Sequence, residues 1–309
     1  MLSIKKSLIT SQLSSNGGRF TFDYQTSGNI CKELTEKITT PYHERLIKSF
    51  LHNDADTPET NIALALKNPV AGAYSHFLAT GTQRDTQATF APTRYHSIGY
   101  LSGNAMIGEI NLAVQFPTGA DDLEVVQAGD TLTLTSADRS VTKNVMVAAA
   151  YFDAGIAYIQ LSDPVDTNFL SNSLVSSAIT TTSITATLSN VIKTDCVIDE
   201  TQIELSNNGT VEQSFTLTFT SATAFTVTGD VIGSLPAGDI STQYAPLNPA
   251  TNAPYLTIPA TAWTSATTSA TLTFDTHPAA LPFWFVSRFY PGVSPIIYKF
   301  SASLLVSPY

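Results

Sequence analysis

Charge is what this chain has least of. Lys, Arg, Asp and Glu make up 13% of its 309 residues, against roughly a quarter in an ordinary soluble domain. The charges are also unevenly placed. Residues 1–100 hold 10 Lys/Arg and 8 Asp/Glu, a net of +2, and residues 101–309 hold 5 and 17, a net of −12. An acidic main body repels phosphate, which argues against direct nucleic-acid binding. Lys5, Lys6, Arg19, Lys32 and Lys37 are too sparse to reverse that. Cysteine is nearly absent: Cys31 and Cys196 stand far apart without metal-binding spacing. They read as two isolated structural thiols, a single disulfide being the alternative, and folding in a reducing cytoplasm is the simpler assumption. Long apolar runs are missing too. No segment approaches a bilayer span, and the first eighteen residues lack a continuous apolar h-region, so neither a membrane segment nor a signal peptide is expected.

Catalytic and metal signatures are equally scarce. His43-Glu44 begins like a zinc-protease helix, but position 47, where the second histidine would fall, is Ile. The five histidines (His43, His52, His76, His96, His277) show no ligand spacing. There is no Gly-x-Ser-x-Gly elbow, no phosphate loop and no dinucleotide fingerprint. Paired carboxylates for hydrolysis are assembled in space and leave no spacing to read. Asp195, Asp199 and Glu200 cluster, as do Asp121, Asp122 and Glu124. Both groups read as solvated turns, with calcium as the alternative, although neither follows a calcium-loop pattern. The sequence therefore assigns no catalytic, cofactor-binding or metal residue, and the expectation is a non-enzyme without cofactors.

Threonine-faced strands are what the chain has in abundance. In Gln213–Phe219, Phe215, Leu217 and Phe219 alternate with Ser214, Thr216 and Thr218, the period of a strand with one dry face and one wet face. Threonine favours extended backbone, and its hydroxyl can be solvated or paired across an interface. From Ile110 onward such runs recur almost without pause, separated by turns at 128–130, 153–155, 206–209 and 228–230, the rhythm of a sandwich or barrel. A break near 163–178 divides a small β-unit from a larger one. Asn208-Gly209 reads as a hairpin turn flanked by Glu204-Leu205 and Val211-Glu212, rather than as a glycosylation acceptor.

The first third reads differently. RFTFDY at 19–24 alternates like a short strand. Ile30, Leu34 and Ile38 recur at helical spacing, and Thr40-Pro41 and Thr57-Pro58 look like helix starts. Leu46, Ile47, Phe50 and Leu51 would be the buried side of the second helix. Two or three short helices over 28–68 are thus expected, followed by an aperiodic arm over 71–104 that packs on another subunit. Short strands that escape a period test are the alternative there. Near the C-terminus Phe283, Trp284, Phe285, Phe289, Tyr290, Tyr298, Phe300 and Tyr309 crowd together. Burial on both sides, by core and by a neighbouring chain, outweighs a stacking platform for sugars or bases. Pro282 and Pro291 would confine this strand to a sheet edge.

TLTFTSATAFTVTGD, YAPLNPATNAPYLTIPATAW and TLTFDTHPAALPFWFVSRFYPG carry a resemblance. Over roughly 179–295 the chain resembles virion structural proteins of tailed bacteriophages, in which a His-Pro-Ala-Ala-x-Pro-x-Trp turn, here His277 to Trp284, helps close a β-sandwich. Where family members often carry a basic pair and Val-Pro-Ala-Gly after the tryptophan, this chain has Ser287, Arg288 and Tyr290-Pro291-Gly292. The position in a particle is therefore left open. The resemblance implies a virion component assembled in a host bacterial cytoplasm, whose partners are copies of itself and other virion proteins, with no nucleic acid and no membrane. The composite expectation is a mainly β chain of β-sandwich/barrel modules: a small mixed α/β region with an extended arm at 1–109, a small β-module at 110–178 and a β-sandwich at 179–309. The other function considered is a host-surface, glycan-binding adhesin or fibre-tip module relying on Trp263 and Trp284.

Overall fold

A computed structural model describes residues 1–9, 17–24, 41–68, 74–291 and 304–308. Its strands in chain order are β1 (Leu2–Ile9), β2 (Gly17–Tyr24), β3 (His43–Asn53), β4 (Glu59–Leu66), β5 (Tyr74–Thr80), β6 (Tyr95–His96), β7 (Ile98–Leu101), β8 (Asn111–Gln115), β9 (Thr131–Thr135), β10 (Thr142–Asp153), β11 (Ile156–Leu161), β12 (Leu174–Ile184), β13 (Thr187–Ile198), β14 (Gln213–Phe219), β15 (Ala224–Gly229), β16 (Gly233–Asp239), β17 (Trp263–His277), β18 (Ala280–Phe289) and β19 (Leu304–Pro308). Helix among these residues is confined to three single 3₁₀ turns. The chain is mainly β, as its alternation predicts.

Three bodies of sheet result. β12, β7, β8, β11, β10 and β9 close into a six-stranded barrel, because β9 pairs with both β10 and β12. Its interior is filled by inward residues such as Leu112, Val114, Leu132, Leu134, Val147 and Ile159. Gly99 on β7 makes the closure possible: a Cβ there would overlap the Gln115 carbonyl and press on Val114 of β8. Past Ser177, β12 leaves the barrel and pairs with β4, which in turn pairs with β19. This layer packs on the six-stranded sheet β2-β1-β3-β18-β5-β6 through Leu51, Ile62, Leu64, Leu78, Ile179, Phe283 and Phe285. The third body is the sheet β13-β17-β14-β15-β16, whose dry face holds Phe215, Leu217, Phe219, Val227, Leu272 and Phe274 under the 240–262 segment.

Over the described part, 41–68, the helices expected at 28–68 are not what forms. Leu46, Ile47, Phe50 and Leu51 lie in β3, and IALAL lies in β4. The physical reason is two-sided burial. Leu46 packs toward the barrel core and Ile47 toward the sandwich core, so apolar pairs spaced by four imitate a helix while serving both faces of one strand. In β4, Ile62, Leu64 and Leu66 face one core and the small Ala63 and Ala65 the other side, a period of two. Ile30, Leu34 and Ile38 lie outside the described residues.

The arm expected at 71–104 is likewise corrected over the described part, 74–104. It supplies β5, β6 and β7, and Phe77, Leu78 and Ala79 are wholly buried. A strand covered on both faces has no polar alternation to detect. β18 is also central rather than at an edge, pairing with β3 on one side and β5 on the other. Pro282 is tolerated because pairing with β5 begins only at Phe283, so its missing N–H leaves no ladder bond unmade there. Hydrogen bonding crosses the expected 1–109, 110–178 and 179–309 ranges: β18 joins β3 and β5, and β12 belongs to the barrel and to the sandwich.

Candidate assembly surface and polar junction

The wet face of the third sheet is an ordered array of hydroxyls. Register aligns Thr228, Thr216, Thr273 and Ile192 in one row across β15, β14, β17 and β13. Ser234 extends that row onto β16. Thr226, Thr218, Thr271 and Thr194 form the next. Thr271 and Thr273 are half-buried and the other threonines are exposed. No ionisable side chain stands in either row. Such a face loses little on desolvation compared with a charged one, and its hydroxyls both donate and accept. The sheet also guards its edges. β16 contains Pro236, and β13 is interrupted by register shifts at Asn190 and Asp195, both with positive φ.

At one end of that face the hydroxyl rows give way to charge. His277 closes β17, and its Nδ1 lies 2.7 Å from Glu212 Oε2 while its Nε2 lies 2.8 Å from Ser189 Oγ. Glu212 is almost sealed from solvent, its side chain 1% exposed. A buried carboxylate needs partners on both oxygens, and Arg84 Nε donates to Oε1 at 2.5 Å. Arg84 also donates to Ser214 Oγ at 3.2 Å. Arg19 on β2 donates to the Glu212 carbonyl and to Asp230, and the bonds from Arg19 hold the Asp230 carboxyl down at about 2. The six-stranded sheet and the five-stranded sheet are thus joined by charge across the crossover His277–Trp284, the turn that the sequence singles out.

Behind this junction sits a second polar knot. Lys48 is fully buried and pairs with Asp85, and it donates to the Gly18 carbonyl at 2.7 Å and the Asp85 carbonyl at 2.9 Å. Burial lowers the Lys48 pKa. The turn at 206–209 docks on the segment after β3, at Asp54 and Ala55, but not as a hairpin. Glu204 bridges to Thr257, while Asn207 donates to the Ala55 carbonyl and Asn208 to the Asp54 carbonyl. The Asn-Gly signal marks the turn correctly, and the strands it seemed to join pair elsewhere.

Trp284 is fully buried and donates to Asp85 Oδ2 at 2.8 Å, so it is no exposed platform. Trp263 is half-buried against Phe219 and Phe225. An exposed aromatic pair among the described residues is Tyr151 and Tyr158 on the barrel, stacked at 5.1 Å. Asp199 caps a 3₁₀ turn and Glu200 pairs with Lys193. Asp121, Asp122 and Glu124 are exposed on a turn. Cys196 is a buried free thiol, its pKa raised by burial, and Cys31 lies outside the described residues. His43 begins β3, and its neighbour Glu44 pairs with Arg288 at 2.9 Å. His52, His76 and His96 are core residues. Among the described residues, no group of three His, Cys, Asp or Glu gathers as a metal site, and no helix is long and apolar enough to cross a membrane. Two shallow grooves, of about 390 and about 470 Å³, carry a single carboxylate each, Asp85 and Glu109.

Sequence reasoning missed the Ser189–His277–Glu212–Arg84 cluster. The four residues are scattered from 84 to 277 in the chain, and no local spacing could have gathered them. Compared with protein-family models, curated proteins and solved structures, the chain matches none.

Proposed function

We propose that this chain is a structural component of a tailed-phage virion, oligomerising into a ring or array at the head, neck or tail. The observation that carries the reading is the double row of uncharged residues, all but Ile192 bearing hydroxyls, across β15, β14, β17 and β13. Charge depletion and adaptable polar groups are what repeated subunit contacts favour. The barrel adds exposed apolar residues, Met146, Tyr151 and Tyr158, to the same picture. Partners would be copies of the chain and other virion proteins, met in a host bacterial cytoplasm. Thr216→Lys with Thr273→Lys should block assembly, measured as solution mass and as incorporation into purified particles, while leaving the melting temperature near that of the parent. A chain that stays monomeric at every concentration and is missing from particles overturns the reading.

The stacked pair Tyr151 and Tyr158 favours a second reading, a host-surface adhesin or fibre-tip module. Such a pair can stack on a sugar ring. Glycan-array binding lost in Tyr151→Ala and Tyr158→Ala, with assembly unaffected, would select it.

A further inference from the structure

We propose that Ser189, His277 and Glu212 form an acyl-transfer triad that hydrolyses short acyl esters borne on a polar carrier. The proposal rests on geometry. Glu212 Oε2 at 2.7 Å from His277 Nδ1 keeps the proton on that nitrogen, leaving the Nε2 lone pair toward Ser189 Oγ at 2.8 Å. That is nucleophile, base and orienter, each within hydrogen-bond reach of the next. The orienter is fixed in its turn, because Arg84 Nε occupies its other oxygen at 2.5 Å and its side chain is 1% exposed. His277 stays reachable, its side chain 29% exposed.

The backbone around the serine is set for the same role. Ser189 pairs with Asp275, but the register then shifts, leaving Asn190 and Val191 without partners on β17. Asn190 has a φ of 52°, in the left-handed region, and its side chain donates to Asp275 Oδ2 at 2.7 Å, which holds the bulge in place. Bulges at sheet edges commonly re-aim a side chain beside a site. β13 is the edge strand of its sheet, so substrate approaches from solvent.

The chemistry balances with water as co-reactant. Ser189 Oγ attacks the ester carbonyl as its proton passes to His277 Nε2, and that proton then goes to the departing alkoxide as the C–O bond breaks. Water next attacks the acyl-serine, giving its proton to His277, and the carboxylic acid leaves as Ser189 recovers its hydrogen. An open site beside hydroxyl rows fits a small acyl group such as acetyl on a hydroxyl-rich alcohol.

The full chain is tested with p-nitrophenyl acetate and with a fluorophosphonate probe, followed by peptide mapping. Ser189→Ala leaves the His277–Glu212–Arg84 contacts in place and should fold like the parent. Expected are probe attachment at Ser189 and a loss of turnover of at least about 100-fold in Ser189→Ala. Glu212→Gln should lower turnover at least about tenfold, with the ester KM little changed. A parent chain that is unlabelled at Ser189, or a Ser189→Ala variant as fast as the parent, overturns the proposal. If the Glu212→Gln variant fails to fold, the labelling and Ser189→Ala results still decide. Assembly is scored separately, so failure here leaves the structural reading untouched.

Discussion

Trp284 donates its indole N–H to Asp85 at 2.8 Å, and the same carboxylate pairs with the buried Lys48 ammonium. One acid on the loop after β5 therefore satisfies the largest buried side chain of β18 and the buried cation of β3. Removing it should leave an uncompensated charge. Asp85→Ala is expected to cost about 3–5 kcal/mol in urea unfolding. Lys48→Met combined with Asp85→Ala should recover much of that loss. A single Asp85→Ala variant as stable as the parent would show that Lys48 draws nothing from its partner.

Trp284 itself fills the space between β18 and the barrel core. Trp284→Ala should lower stability by about 3–5 kcal/mol, as large-to-small core changes do. A variant that melts like the parent but loses a single ligand would contradict this burial.

Gly209 lies so close to the Pro254 carbonyl that any Cβ would overlap it. The turn carrying Gly209 also carries Asn207 and Asn208, which clasp the 54–55 backbone. Gly209→Ala should therefore destabilise by about 1–3 kcal/mol through overpacking, read as a shift in thermal midpoint. Gly103→Ala, where a Cβ meets nothing within 4 Å, is the matched control and should shift far less.

Acid should weaken the fold before its carboxylates are protonated. Burial depresses His76 to about 4 and His96 to about 3, and it lowers His52 as well. Each folds in its neutral form, while the unfolded chain takes up a proton near pH 6.5. Their contribution is fully present above that pH and is lost as pH falls toward the folded values. At pH 5 the loss is up to about 2 kcal/mol for each strongly depressed histidine. Asp230, held at about 2, adds a second loss between the ordinary carboxylate range and pH 2. Urea midpoints across pH 7 to 4 check the first step, and His96→Phe should flatten it.

Legibility followed one-sided burial. β14, β15 and β17 each have one dry face and one wet face, so Phe215, Leu217 and Phe219 announce themselves. β3, β4, β5 and β18 are covered on both faces, and their apolar residues carry no such alternation. Leu46, Ile47, Phe50 and Leu51 look helical for that reason alone. The turn at 153–155 was readable because Ala154 and Gly155 both take positive φ in a two-residue hairpin between β10 and β11. The turn at 206–209 was readable only as a turn. Its flanking segments pair with distant partners, and pairing at long range is set by which faces need cover.

By itself the sequence determined the β class, the scarcity of charge and the threonine faces, since these depend on residue type and on a period of two along a local stretch. Tertiary structure alone decided that β9 closes on β12, that β18 lies mid-sheet, and that Ser189, Glu212 and His277 meet. Those outcomes come from satisfying buried groups and covering apolar faces across long chain separations. A buried carboxylate finds whichever donors the packing brings to it, whatever their order in the chain.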